Sequence, residues 1–318
     1  MKNIEITADA FGNALRQRRK GTVIKNAIIF NELIELFNEL REFPYAVIKG
    51  EPLSKMAYGE EGYRNSADID ILVHKSHVAE LKSVLEKHGF CENIFDADGN
   101  KRESTRIEKI LLGYSHQTIP FVKISKYNIP MYIDINCDIF WGEYDKKRIC
   151  MHSFLANFEF IKIYRSTVKT LKPLHMFVSL CLHHYREMNA PYYFKLNNPF
   201  NTYALQDVYY LYKNHIAKNI KEFVKYVNEN NLEEYIFFVL YHTHKVFPDE
   251  SFYDDMKQFE TEEGVYGLEY YGLCSSERKK WPISFEQRFN NPNLFQLIEP
   301  QLTEADERKI NQVLSIIL

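Results

Sequence analysis

The chain has no cysteine pairing pattern, no excess of either charge and no long apolar run. Its five cysteines, Cys91, Cys137, Cys150, Cys181 and Cys274, are odd in number, scattered, and free of any Cys-x-x-Cys spacing. That argues against a disulfide framework and for reduced, mostly buried thiols in a cytoplasmic protein. Lysine and arginine total 40 against 43 aspartate and glutamate, a net charge of −3. A general nucleic-acid binder needs a basic field, so nucleic acid is left only a local groove and is not favoured as a partner. No stretch approaches the ~20 apolar residues of a membrane span. The start, Met1 to Gly12, is too polar for a signal peptide. Internal repeats and low-complexity tracts are also missing. What is present is packing material: 318 residues, 45% hydrophobic, with 22 Tyr and 23 Phe. This is enough for one large or two modest domains.

The chemistry is concentrated in three stretches. Asp68 and Asp70 stand two apart in Ala67-Asp68-Ile69-Asp70-Ile71-Leu72-Val73. Their neighbours predict a buried strand, in which residues i and i+2 share a face about 6.6 Å apart. Two carboxylates side by side in apolar surroundings repel each other and lose hydration. A cation removes that cost, and an all-oxygen donor set suits Mg²⁺ or Mn²⁺. Upstream, Tyr45-Ala46-Val47-Ile48 predicts a short buried strand and Pro52 to Tyr58 a helix, with Lys49-Gly50 at the junction. A strand–glycine–helix turn offers backbone N–H groups to phosphate, and Lys49 adds a charge. Glu51, next in line, opposes phosphate there. Arg64, four residues before Asp68, is placed to clamp a triphosphate or pair with a carboxylate. Downstream, Gln117 to Ile124 and Ile129 to Ile139 predict a hairpin whose second strand carries Asp134, Asn136 and Asp138 on one face. Asp134 is the first candidate for a third metal-site carboxylate and Asp138 the second.

The remaining chain supplies scaffold. An amphipathic helix is expected over Val23 to Arg41, following the basic cluster Arg16-Gln17-Arg18-Arg19-Lys20, which is expected to be a solvated face. A second helix is expected from Lys75 to His88, then a strand from Phe90 to Phe95 and a turn at Asp96 to Asn100. After residue 150 helices are expected from Leu171 to Glu187, Tyr203 to Tyr212, Lys218 to Asn230 and Leu232 to Val246, with a loop from Pro191 to Asn201. Residues 251–300 carry no period and are candidates to lie over a cleft. A last helix, Glu304 to Ile317, has Thr303 as its N-cap. His183 and His184 point about 100° apart on a helix and make poor joint ligands for one ion; hydrogen-bonded structural roles are expected, as for His242 and His244. Asp207, within an apolar helix, calls for a helix end or a charged partner.

The order Lys49-Gly50, Arg64, Asp68-Ile69-Asp70, Asp134-Ile135-Asn136 and Leu180-Cys181-Leu182-His183 resembles the DNA polymerase beta-like nucleotidyltransferase superfamily. It is most similar to the branch of uncharacterised nucleotidyltransferases, over roughly residues 25–215. Two positions depart from that pattern: Glu51 replaces a small residue, and Asn136 stands where the branch tends to have His. The resemblance implies an α+β fold, a nucleotidyltransferase-like mixed sheet with flanking helices in 1–150. A mainly helical, acceptor-binding domain would occupy 151–318. It implies transfer of a nucleoside monophosphate from an NTP such as ATP to a hydroxyl of a small molecule, protein or RNA, with pyrophosphate released. The metal would rest on Asp68, Asp70 and Asp134, and the nucleotide on Lys49, Gly50 and Arg64. The alternative is a non-catalytic nucleotide-binding protein, for example a toxin–antitoxin or defence component, which Glu51 favours.

Overall fold

The computed structural model describes residues 8–64, 68–92, 117–140, 147–196, 199–289 and 291–317, excepting the side chains of 8–18 and 315–317. The turn expected at Asp96 to Asn100, the end of the strand expected at Phe90 to Phe95, and the side chains of Arg16 to Arg18 lie outside the described residues.

Strands β1 (Tyr45–Ile48), β2 (Asp68–Val73), β3 (Cys91–Glu92), β4 (Phe121–Ile124), β5 (Pro130–Asn136), β6 (Phe158–Ile163) and β7 (Ser166–Leu171) form one mixed sheet in the order β3-β4-β5-β2-β1-β7-β6. The pairs β2–β5 and β1–β7 are parallel and the others antiparallel. The fold is α+β, as expected. The sheet runs on beyond residue 150: β6 and β7 belong to it, and β7 lies beside β1. The expected boundary at 150 therefore falls before the last two strands.

Alternation of side chains sets the layers. Ile69, Ile71 and Val73 of β2, with Ile133 and Ile135 of β5, are buried on one face. They pack against α1 (Ala8–Glu32), α2 (Ile34–Glu39) and α4 (Val78–Lys87) through Phe30, Leu36, Phe37, Leu81 and Leu85. The single helix expected at 23–41 starts earlier and breaks at Leu33. On the opposite face, Ala46, Ile48 and Leu72 join a second core with Met176, Phe177 and Leu180. That face also carries Asp68, Asp70 and Asp134. The helix after β1 is α3 (Gly50–Tyr58).

The second half is helical. After α5 (Met151–Leu155) and the β6–β7 hairpin comes α6 (Pro173–Asn189), with Pro at its first turn and most of its length buried. It is followed by α7 (Pro191–Leu196), α8 (Thr202–Leu211), α9 (Ile220–Glu229) and α10 (Glu233–Val246). The loop expected at Pro191 to Asn201 is thus partly helical: Pro191 opens α7, its missing N–H costing nothing at a first helical position. Residues after 250 form α11 (Glu250–Lys257), α12 (Glu262–Gly267), the ribbon of β8 (Tyr270–Tyr271) and β9 (Lys279–Lys280), α13 (Phe285–Arg288), α14 (Leu294–Ile298) and α15 (Glu304–Ile317). Phe252, Tyr271, Trp281, Leu294 and Ile310 enter the same core as α6 and α10. This stretch therefore builds on the helical half. Thr303 caps α15 as expected, its Oγ1 accepting from the Asp306 N–H at 3.3 Å while Asp306 Oδ2 accepts from the Thr303 N–H at 2.7 Å.

The helical half grips the C-terminal end of α3, where helix carbonyls lack partners. Asn214 Nδ2 donates to the Ala57 carbonyl at 2.7 Å, and His215 Nε2 lies 2.9 Å from the Met56 carbonyl. These contacts fix α3, and with it the turn at its start, relative to α6 and α8. No helix among the described residues is long and apolar enough to cross a membrane.

Candidate active site

The site begins at the β1–α3 turn. Lys49 has φ 60 and ψ −153, and Gly50 follows with φ 52. Glycine adopts such angles freely; a lysine held there costs about 1–3 kcal/mol and persists only where its surroundings insist on it. Lys49 Nζ lies 3.3 Å from Asp70 Oδ1, with both side chains largely buried. The turn reverses the chain from β1 into α3, and Gly50 and Glu51, which open that nine-residue helix, line one cavity with Asp68 and Asp70; Pro52 has no N–H and the Leu53 N–H donates to the Lys49 carbonyl at 3.3 Å.

Parallel pairing of β2 and β5 places Asp68 opposite Tyr132 and Asp70 opposite Asp134. Neighbouring strands are about 4.8 Å apart, so three carboxylates share one small area of the sheet. Burial, followed by the charges of Asp68 and Asp70, pushes the Asp134 carboxyl up to about 7. Burial and Asp70 raise Asp68 as well, with Lys49 opposing. Asp138 does not join them. Strand β5 ends at Asn136, and Asp138 accepts from the Phe140 N–H at 2.9 Å and faces Arg148 at 3.7 Å.

Two residues at this site escaped the reading of the sequence as functional parts. Gln117 Nε2 donates to Asp134 Oδ2 at 2.7 Å, and Asn136 Nδ2 donates to Asp70 Oδ1 at 3.2 Å. Asn136 was legible as the position two beyond Asp134 on the same strand face. Gln117 carried no signal, because its place follows from a bridge to Asn136 that only the folded sheet creates.

Glu51 does not confront the phosphate position as its place in the sequence suggested. It is 1% exposed. Its carboxylate accepts from Asn26 Nδ2 at 2.6 Å, the Gly62 N–H at 2.8 Å and the Tyr164 hydroxyl at 2.9 Å. The charge is thus committed to α1, the loop after α3 and the β6–β7 turn. Gly62, with φ +83, admits no Cβ, which would lie 2.2 Å from Val23 Cγ2.

Arg64 pairs across the halves. Its Nε is 2.8 Å from Asp207 Oδ2, and the Tyr58 hydroxyl donates to Asp207 Oδ1 at 2.5 Å. Asp207 has the charged partner its apolar helix called for. Arg64 still acts electrostatically on Asp68, lowering its proton affinity as the smallest of several influences.

His183, His184 and Glu187 converge on α6. His183 Nε2 is 2.9 Å from Glu187 Oε1, and His184 Nδ1 is 3.1 Å from Glu187 Oε2. The three ligand atoms lie within 4.8 Å of one another. Arg186 Nη2 is 3.1 Å from His183 Nδ1. A guanidinium only donates, so His183 Nδ1 accepts and Nε2 carries the proton. In this arrangement Nε2 donates to Glu187. Both histidines are hydrogen-bonded to Glu187, but the fold also brings them together, against the expectation that they make poor joint ligands: with Glu187 they offer three atoms placed to hold one metal ion. The cluster lies close enough to the turn that the Lys49 charge bears on His183.

A strand, a tight Lys-Gly turn, a helix and three carboxylates on adjacent parallel strands thus stand together on one face of the sheet. A family profile described as "Uncharacterised nucleotidyltransferase" matches residues 2–248, crossing from the sheet into the helical half, and the chain belongs to that family. It is accordingly a transferase, acting in nucleotidyl transfer. No curated protein matches the chain.

Proposed function

We propose that the protein transfers a nucleoside monophosphate from an NTP to a hydroxyl acceptor, with a divalent cation held by Asp68, Asp70 and Asp134. The observation that carries this reading is the register that sets Asp70 opposite Asp134, with Asp68 two residues away on the same half-buried face. The donor set fits Mg²⁺ or Mn²⁺: every side chain is a carboxylate, and burial, followed by the neighbouring carboxylates, raises Asp134 and Asp68. Such a cation supplies positive charge against the triphosphate and the developing pyrophosphate.

The chain's own groups account for the rest. Gly50 and the first N–H groups of α3 receive phosphate oxygens, favoured by the helix dipole. Lys49, already beside Asp70, moves its ammonium to phosphate charge. Arg64 borders the same carboxylates from the Asp207 side. Asp134 accepts the acceptor hydroxyl's proton as that oxygen bonds to the α-phosphorus and the bond to pyrophosphate breaks. The helical half selects the acceptor. The non-catalytic alternative rested on Glu51, whose carboxylate is engaged elsewhere.

The test is incubation with each labelled NTP, Mg²⁺ or Mn²⁺, and fractions of RNA, protein and metabolites, following label and pyrophosphate. Label is expected in one acceptor fraction with the wild type and at background with Asp70→Ala. Equal labelling by Asp70→Ala would overturn the assignment.

A further inference from the structure

We propose that Gln117 and Asn136 are the positioning residues of the carboxylate cluster, each locking one aspartate in the orientation that receives the cation. The proposal rests on the metal-dependent reading above and deepens it. A carboxylate on a strand rotates about its last bond, and three of them crowded together turn away from one another unless held. Two amides do the holding here. Gln117 Nε2 takes Asp134 Oδ2 at 2.7 Å, and Asn136 Nδ2 takes Asp70 Oδ1 at 3.2 Å. Because a carboxylate accepts and an amide nitrogen donates, the assignment of each contact is unambiguous. One oxygen of each aspartate is thereby committed to protein, and among the described residues no hydrogen bond engages the other.

The two amides are themselves fixed. Asn136 is 6% exposed and ends β5, directly in line with Asp134. Gln117 is held through its backbone bridge to Asn136, and the next N–H, that of Thr118, donates to the Ile135 carbonyl at 2.9 Å. The two donors therefore belong to one rigid patch of sheet. Lys49 shares Asp70 Oδ1 with Asn136 but sits on a flexible stem and is free to leave for phosphate; the neutral amides have no such competing attraction. Neutral donors orient the carboxylates without cancelling the charge that attracts the cation. A lysine or arginine at either position would orient and also neutralise.

The test is Mn²⁺ binding, measured by electron paramagnetic resonance on the nucleotide-free full chain. For Gln117→Met, which keeps length and loses the donor, the dissociation constant is expected to rise about 10- to 100-fold, the usual effect of removing a group that orients a metal ligand. Gln117→His, which restores an N–H donor, should recover most of it. In the transfer assay, the metal concentration for half-maximal rate should rise in Gln117→Met more than kcat falls at saturating metal. Gln117 is only partly buried, so Gln117→Ala serves as a second variant should the methionine impair folding, and Asn136→Ser repeats the test at Asp70. Wild-type Mn²⁺ affinity in folded Gln117→Met and Gln117→Ala would overturn the positioning role while leaving the metal reading intact. A wild type that binds no Mn²⁺ even with NTP would overturn both.

Discussion

Asp134→Asn is expected to stabilise the metal-free protein above pH 7 while removing nucleotidyl transfer. The two effects have one origin. Burial and the neighbouring Asp68 and Asp70 raise the Asp134 carboxyl to about 7, against 3.8 for the free group. A carboxyl whose folded pKa exceeds its unfolded value binds its proton more tightly in the native state. Its contribution to stability is complete below about pH 4 and is lost as pH rises through 7. At pH 8.5 the metal-free wild type therefore holds an ionised group that its site disfavours. Asparagine has nearly the same shape, keeps an oxygen to accept from Gln117 Nε2, and never ionises. The difference at pH 8.5 should be roughly 2–4 kcal/mol in favour of the variant, and it should fade as pH falls towards 4. Urea unfolding in chelator at pH 8.5, 7 and 5 measures it. Mg²⁺ should narrow the gap at high pH, because only the wild type retains three carboxylates. An Asp134→Asn protein no more stable than wild type at pH 8.5 would show that the three carboxylates do not repel as described. Undiminished transfer by the same variant would remove Asp134 from the reaction.

The carboxylate strand was legible because its signal is local. Ile69, Ile71 and Val73 alternate with Asp68 and Asp70, and period two needs no partner to be seen. The β1–α3 turn was legible for the same reason, through a short apolar run, a glycine and a proline. The strands β6 and β7 were passed over: in Phe158-Glu159-Phe160-Ile161-Lys162-Ile163 the apolar alternation slips at Phe160-Ile161, and the face carrying Phe158 and Phe160 is the exposed one. Their two-residue connection is Tyr164-Arg165, without the Gly or Asn that usually marks a hairpin, and Tyr164 itself takes φ 50. Arg64 and Asp207 were each singled out, but their pairing spans the two halves and had no trace in spacing. Gln117 was invisible because it works through a sheet bridge. Position in sequence revealed which residues carry charge near the site; only the fold revealed which way each one faces.

Glu51 makes that distinction testable, through a large expected loss of stability. By its place in the chain it stands where phosphate would approach, so its removal should tighten nucleotide binding. By its contacts it is a buried anchor whose removal should loosen the fold. Its two oxygens accept from Asn26, Gly62 and Tyr164, and Asn26 is 3% exposed. Glu51→Ala strands three donors. At about 1–3 kcal/mol for each buried donor left unpaired, and with some relaxation, the cost should be about 3–5 kcal/mol. Glu51→Gln keeps one acceptor oxygen, and the Tyr164 hydroxyl is able to turn and accept from the new amide, so its cost should be nearer 1–2 kcal/mol. The Gly62 N–H is the tie that runs from this carboxylate to the loop carrying Arg64 towards Asp68. Freeing it should therefore raise the dissociation constant for NTP, opposite to the result expected if Glu51 repelled phosphate. Urea unfolding and NTP titration of the same two variants decide between the views. A stable Glu51→Ala protein that binds NTP more tightly than wild type would return Glu51 to the role its sequence position suggested.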